Sequence, residues 1–210
     1  MGEFKVDPLT FISGGERETA IADLQPYFAT YTGSWFERLA GNSEPDRFTM
    51  NDIVAVSMLG VNVPAPTTIW LLNDGTAETH RLLRAIPVTA TIWSSDARSY
   101  LEGPALDLWR AVRSGGWPER QGGMGRTKTS KLLAAKRPHL LPVFDQYVGD
   151  TLLNHKSDSD WELWRSRFEG GRGDDLRKAV QNIRDEADVP REVSTLRVLD
   201  IAIWMRMTTH

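Results

Sequence analysis

The stretch Ser194-Thr-Leu-Arg-Val-Leu-Asp-Ile-Ala-Ile-Trp-Met-Arg-Met207 gives the clearest indication of the fold. Its apolar residues recur three and four positions apart, which is the spacing of one face of an α-helix. The residues of this stripe are Leu196, Leu199, Ile203 and Met207. We therefore predict a C-terminal helix that buries one side against the core.

The same helical spacing recurs through most of the chain, whereas the sustained alternation that is typical of strands is scarce. At the N-terminus the spacing predicts two short helices, the first around residues 21–28 and interrupted by Pro26. Only residues 88–93 resemble a strand. Further helices are predicted at residues 53–59, 78–86, 96–112, 127–136, 146–153 and 176–187. The sequence thus predicts an all-α fold in which residues 1–210 form a single multi-helix domain.

The composition is that of an ordinary globular protein, with 40% hydrophobic and 25% charged residues. No run approaches the roughly 20 apolar residues that span a bilayer, and the N-terminus lacks the features of a secretory signal. We expect a cytoplasmic protein without a membrane segment. The absence of cysteine excludes disulfides, thiolate zinc sites and cysteine-ligated iron–sulfur clusters. The four histidines are scattered, so we predict no metal and no cofactor.

Positive charge is concentrated in residues 120–139, a run without any acidic residue. Because its six cations belong to a chain with a net charge of −3, the rest of the chain carries about −9. The six are Arg120, Arg126, Lys128, Lys131, Lys136 and Arg137. Two interpretations stay open: a solvated helix face, or a local basic patch that binds nucleic acid.

The glycine-rich part of this run, from Gly122 onward, differs from a phosphate-binding P-loop by one residue. Thr127 stands where the loop requires its second glycine, and residues 117–121 do not form the buried strand that must precede such a loop. Nucleotide hydrolysis is therefore not expected. A helix-hairpin-helix fits better, since a glycine turn exposes backbone N–H groups at the start of the second helix, where a phosphate binds. The predicted contacts with nucleic acid are Gly123, Gly125, Arg126, Thr127, Lys128 and Lys131.

Two sequence segments together resemble the helix-hairpin-helix DNA glycosylase superfamily. They are Gly123-Met-Gly-Arg-Thr-Lys-Thr-Ser-Lys-Leu-Leu133 and Leu141-Pro-Val-Phe-Asp-Gln-Tyr-Val148. The resemblance covers roughly residues 105–155 and implies that Asp145 is the catalytic carboxylate, which supports departure of a flipped base. Members of that superfamily that also cleave the strand use a lysine two residues after the second hairpin glycine, where this chain has Thr127. We therefore predict no lyase activity.

A second resemblance extends over the whole chain, including the ending Leu196-Arg-Val-Leu-Asp-Ile-Ala-Ile-Trp-Met-Arg206. The chain is similar to an uncharacterised family of actinobacterial proteins of unknown function. This similarity implies no activity.

A purely structural interpretation of the hairpin segment stays open beside the functional one. In it the glycines turn the chain, the cations face water, and Asp145 caps the helix at residues 146–153. The functional interpretation is a DNA-binding helical domain with glycosylase-like base excision at Asp145. Its alternative from another class is a protein-interaction or scaffold domain without affinity for nucleic acid.

Overall fold

The computed structural model describes residues 3–115, 124–153 and 160–209. These residues form α-helices joined by short turns and three 3₁₀ segments, which confirms the all-α prediction. In the order of the chain the helices are α1 (Arg17–Thr30), α2 (Phe36–Gly41), α3 (Met50–Met58), α4 (Ala65–Leu72), α5 (Thr76–Arg84), α6 (Ala97–Glu102), α7 (Pro104–Ser114), α8 (Arg126–Lys136), α9 (Gln146–Leu152), α10 (Trp161–Phe168), α11 (Gly170–Glu186) and α12 (Thr195–Thr209).

The C-terminal helix α12 is a central element of the fold. It packs against α1, α9 and α11, and every residue from Leu196 to Ile203 is buried. A helix that is enclosed on all sides needs apolar residues around its whole circumference, which explains why Val198 and Ile201 join the predicted stripe. Met207, the last residue of the stripe, is instead 38% exposed.

Helix α8 is the central element of a second group of helices. It packs against α2, α3 and α7, and every residue from Thr129 to Lys136 is buried. The helix begins after its N-cap residue Gly125, and no side chain makes a capping hydrogen bond at this end. It ends before Arg137 and Pro138. This span differs by one residue from the prediction of 127–136.

Three local predictions were wrong. The single helix predicted at residues 96–112 is divided at Gly103 into α6 and α7. Pro26 lies inside α1 and does not interrupt it, because packing against α12 outweighs the one backbone hydrogen bond that a proline removes. Residues 88–93 form turns, with Ile92 N–H donating to the carbonyl of His139 at 3.0 Å. That single bond is too little for a ladder, and the described residues contain one isolated bridge, between Phe4 and Leu153, but no strand.

The buried side chains of the described helices join into one apolar core. Trp109, Trp161 and Trp164 belong to it. Trp35 is 52% exposed and Trp204 is partly buried. In the described ranges, no helix combines the length and the apolar character needed to cross a membrane.

Candidate functional site

A cavity of about 320 Å³ lies where α1, α8, α9, α12 and the end of α3 meet. Its volume falls near the lower end of the range for small-molecule sites, roughly 300–1,000 Å³. We call it the Asp145 cavity. Its lining consists of Tyr27, Tyr31, Thr32, Gly33, Met58, Leu59, Gly60, Lys131, Val143, Asp145, Tyr147, Arg197, Asp200, Ile201 and Trp204.

Asp145, the carboxylate predicted from the sequence, uses its two oxygens for different bonds. Oδ1 accepts from the backbone N–H of Tyr147 at 3.0 Å, so Asp145 is the N-cap of α9. Oδ2 lies 3.3 Å from Nζ of Lys131, which also donates to the carbonyl of Leu59 at 3.0 Å. The predicted cap is thus confirmed, and the same carboxylate lines the cavity with 19% of its side chain exposed.

Phe144, the residue before Asp145, contacts α8 through its backbone and its ring, and it also packs against α9. The backbone N–H of Phe144 donates to Oγ of Ser130 at 3.0 Å, and the guanidinium of Arg126 lies 3.6 Å from the centre of the Phe144 ring. A Cβ added to Gly149 would lie 2.4 Å from that ring, so any larger residue there would require the Phe144 ring to move. These contacts fix the direction in which Asp145 enters α9.

Beneath the cavity, Arg197 connects α12 to α1 and α2 through a buried polar network. Its Nε donates to Glu37 Oε1 at 3.0 Å, one terminal nitrogen donates to the Tyr27 hydroxyl at 2.5 Å, and the other pairs with Asp200 Oδ2. Asp200 Oδ1 and Glu37 Oε2 are buried without a hydrogen-bond partner. Such a network fixes side-chain positions, and each unsatisfied acceptor in it requires an explanation.

Burial dominates the ionisation of this network. It raises the pKa of Asp200 to about 6, an effect that Arg197 opposes and nearby Asp145 reinforces. Burial also raises the pKa of Glu37, and it raises the pKa of Tyr27 to about 12. Shifted acids in a cavity are frequent at functional sites, although structural networks produce them too.

Aromatic rings form one wall of the cavity. Tyr27 and Tyr31 are stacked with their ring centres 5.6 Å apart, and the Trp204 ring meets Tyr31 edge to face at 5.7 Å. Tyr147, which also lines the cavity, is 61% exposed. Such a wall offers flat apolar surfaces on which a planar ligand can stack.

The residues predicted to contact nucleic acid occupy three kinds of position. Gly125 is the exposed N-cap of α8, and Thr127 and Lys128 in its first turn are partly exposed. Arg126 is 14% exposed at its side chain and pairs with Asp160, while Lys131 points into the Asp145 cavity. Gly123 lies outside the described residues, as does all of 116–123, so the hairpin turn itself is not described.

The basic run is not one surface patch. The side chain of Lys136 is 1% exposed and pairs with Asp52 at 2.6 Å, and Arg137 is fully buried and pairs with Asp46 at 2.7 Å. The basic run is not a solvated helix face either, because Lys131, Lys136 and Arg137 are buried. The acid partners lie near residue 50, far away in sequence, so the run appeared unneutralised. Arg120 falls outside the described residues.

One comparison with known proteins gave a match, and this match extends over nearly the whole chain. A model of a family of unknown function, DUF6308, matches residues 20–207. The chain belongs to the DUF6308 family. Searches of curated proteins and of solved structures gave no match.

Reasoning from the sequence missed the contribution of α1 and α12 to the site of this DUF6308 protein. A signal was present, since Arg197 and Asp200 stand three residues apart in the stretch 196–204, whose other residues are all apolar. Charges in such a helix are buried and must pair or face a cavity. Tyr27 and Tyr31 carried no comparable signal. The candidate site thus combines four features: the carboxylate of Asp145, the buried ammonium group of Lys131, the carboxyl group of Asp200 and the aromatic wall.

Proposed function

We propose that this protein binds DNA, holds one extrahelical nucleotide in the Asp145 cavity and releases its base. The observation that carries the proposal is the position of Asp145. The carboxylate that the glycosylase resemblance singles out lines an aromatic cavity and is held there by the α9 N-terminus and by Lys131. A base that undergoes chemistry must leave the stacked duplex, and aromatic side chains stabilise it outside.

The chemistry requires a fixed negative charge. When the bond between the sugar and the base breaks, positive charge develops on the sugar ring before water adds there. A carboxylate that is already oriented stabilises this charge without reorganising. Asp145 meets this need because Oδ1 is bonded to the backbone and Oδ2 contacts an ammonium group. Asp145 can also accept a proton from the attacking water.

The first turn of α8 supplies a place for the DNA backbone. Gly125 caps this helix without a side-chain hydrogen bond, and a Cβ added there would meet no atom within 4 Å. Among the described residues, no side chain caps the first backbone N–H groups of α8, where the helix dipole favours a phosphate. Lys128 is the partly exposed cation of this turn.

Binding is tested with labelled duplex and single-stranded DNA, with and without an abasic site, from about 50 to 200 mM salt. Replacing Lys128 by Gln should reduce the slope of log K against log salt by about 0.9, the value for one lost phosphate contact. Lys178→Gln, which removes an exposed lysine from α11, is the matched control and should leave the slope unchanged. Equal slopes for both variants would remove Lys128 from the interface.

Base release is tested on duplexes that each carry one damaged or mismatched base. Asp145→Asn should lower the rate of release at least 100-fold, within the range for loss of a positioned catalytic acid–base group. Asp150→Asn makes the same change in charge at an exposed position of α9 and should release bases at the wild-type rate. Release that survives Asp145→Asn would overturn the catalytic role.

A protein-interaction domain is the second candidate, and a separate observation favours it. Met50 and Val54, one helical turn apart on α3, are 56% and 42% exposed, and Ile69 on α4 is 60% exposed. Large apolar side chains on a surface are typical of contacts with protein partners when they are contiguous. Absence of DNA binding at 50 mM salt would favour this candidate.

A further inference from the structure

We propose that Asp200 is the residue that selects the ligand of the Asp145 cavity, by accepting a hydrogen bond from an amino group of a planar nitrogenous base. The proposal rests on the function proposed above and names the class of base that the cavity takes. It assigns a binding role to a residue on α12, outside the segment that resembles the glycosylases.

The hydrogen-bond inventory of the lining residues identifies Asp200. Lys131 donates to Leu59 and Asp145, and Arg197 donates to Glu37, Asp200 and Tyr27. Among the described side chains that line the cavity, Asp200 Oδ1 is the buried polar atom without a partner.

An unpaired buried acceptor is costly, and a ligand that donates a hydrogen bond removes that cost. A site built in this way rejects an analogue that lacks the donor much more strongly than it rejects one that lacks a methylene group.

The wall beside Asp200 determines the shape of the ligand. Tyr31 and Trp204 present aromatic surfaces, and Asp145 lies close enough to Asp200 to affect its ionisation. Because both carboxyl groups line the same cavity, a flat ring bound there can offer an amino group to Asp200 and its sugar bond to Asp145. The chemistry therefore fits an amino-substituted base and disfavours a base that offers only carbonyl oxygens at that edge.

Glu37 provides a matched control. It binds the same guanidinium of Arg197, is equally buried and also has an unpartnered oxygen, but it lines a different cavity. Asp200→Asn and Glu37→Gln each replace one carboxyl group of the network by an amide. Only Asp200 lines the Asp145 cavity, and in Asp200→Asn the amide oxygen stays on Arg197 while the NH2 group, a donor, replaces the free acceptor. A purely structural network instead predicts similar behaviour for the two variants.

The experiment uses the full chain and measures binding by fluorescence anisotropy for DNA and by calorimetry for free bases. One arm uses duplexes with a central deoxyadenosine, or its analogue with unsubstituted purine as the base, each placed opposite an abasic site. The other arm uses free adenine and free purine, which differ by the same amino group. Wild type and Glu37→Gln should prefer the amino compound at least tenfold in both arms, and Asp200→Asn should bind both compounds alike.

The outcomes separate the two proposals. Tight DNA binding with no preference for the amino group, or a preference that Asp200→Asn retains, overturns the role of Asp200 and leaves DNA binding standing. A preference for free adenine without any DNA binding supports Asp200 and overturns the nucleic-acid function. Loss of the preference in both variants assigns it to the network as a whole and overturns the proposal, as does wild-type protein that binds neither class. Thermal melting of each variant identifies one that fails to fold, and Asp200→Glu then replaces Asp200→Asn and should weaken the preference.

Discussion

Lys131 and Lys136 lie five residues apart on α8, but only Lys131 lines the Asp145 cavity, whereas Lys136 pairs with the fully buried Asp52. Both lysines are buried, and each donates to a backbone carbonyl and pairs with an aspartate. Five residues correspond to about 140° around a helix, so the two ammonium groups face different parts of the molecule. Their residue types are identical, and their surroundings give them different roles.

The difference lies in the aspartates. Asp52, the partner of Lys136, is completely buried and belongs to the capping box of α3 with Thr49, and Ser43 bonds to the same pair. Asp145, the partner of Lys131, keeps 19% of its side chain exposed and lines the Asp145 cavity. A buried pair with many internal partners stabilises the fold, whereas a pair open to a cavity can serve a ligand.

The largest effect is expected when the Lys136 pair is broken. Asp52→Ala leaves a buried ammonium without its counterion and removes a capping box, and should lower the free energy of unfolding by about 3–5 kcal/mol. Chemical denaturation measures this change. The double variant Asp52→Asn, Lys136→Met removes both charges and should be more stable than Asp52→Ala. A loss below about 1 kcal/mol would show that this pair does not hold α3 against α8.

A smaller effect, which depends on pH, is expected at the cavity. Because the pKa of Asp200 is raised from 3.8 to about 6, the folded state disfavours its ionised form. The protonated Asp200 side chain therefore contributes to the free energy of unfolding. This contribution is fully present below about pH 4 and is lost as the pH rises through about 6, a decrease of about 3 kcal/mol. The stability of Asp200→Asn should lack this component. Glu37 has a pKa shifted in the same direction, so the informative quantity is the difference between wild type and Asp200→Asn.

Denaturation at pH 4, 5, 6 and 7 tests this prediction. The two proteins should differ by an amount that changes between pH 4 and about 6 and levels off by pH 7, with wild type losing stability relative to the variant as pH rises. Parallel curves would show that Asp200 ionises in the folded protein as easily as it does in the unfolded chain.

The smallest effect is expected from loss of the helix cap that Asp145 forms at the start of α9. Asn at this position still accepts the Tyr147 N–H at the start of α9, and Ala does not. Asp145→Ala should therefore be less stable than Asp145→Asn by about 0.5–2 kcal/mol, the value of a helix N-cap. Both variants lose the bond to Lys131, so that loss cancels in the comparison. Equal stability would mean that the cap bond contributes nothing measurable.

Much of the fold could be predicted because helical periodicity is a local property. The spans of α8 and α9 agree with the prediction to within one residue, since Gly125, Asp145 and Pro138 mark their ends. The failure at residues 88–93 was also local in origin, because an apolar run indicates burial but not whether a partner strand exists. The cap at Asp145 was predicted by the same kind of reasoning.

The sequence by itself determined the all-α class, the ends of α8 and α9 to within one residue, and the single carboxylate at the start of α9, because these depend on neighbours along the chain. Tertiary structure alone decided which of the cations in one basic run are buried, and that Arg197 and Asp200 of α12 meet Tyr27 of α1 around a cavity. Residues that lie 170 positions apart are brought together by packing of the core, and no local pattern encodes such a meeting.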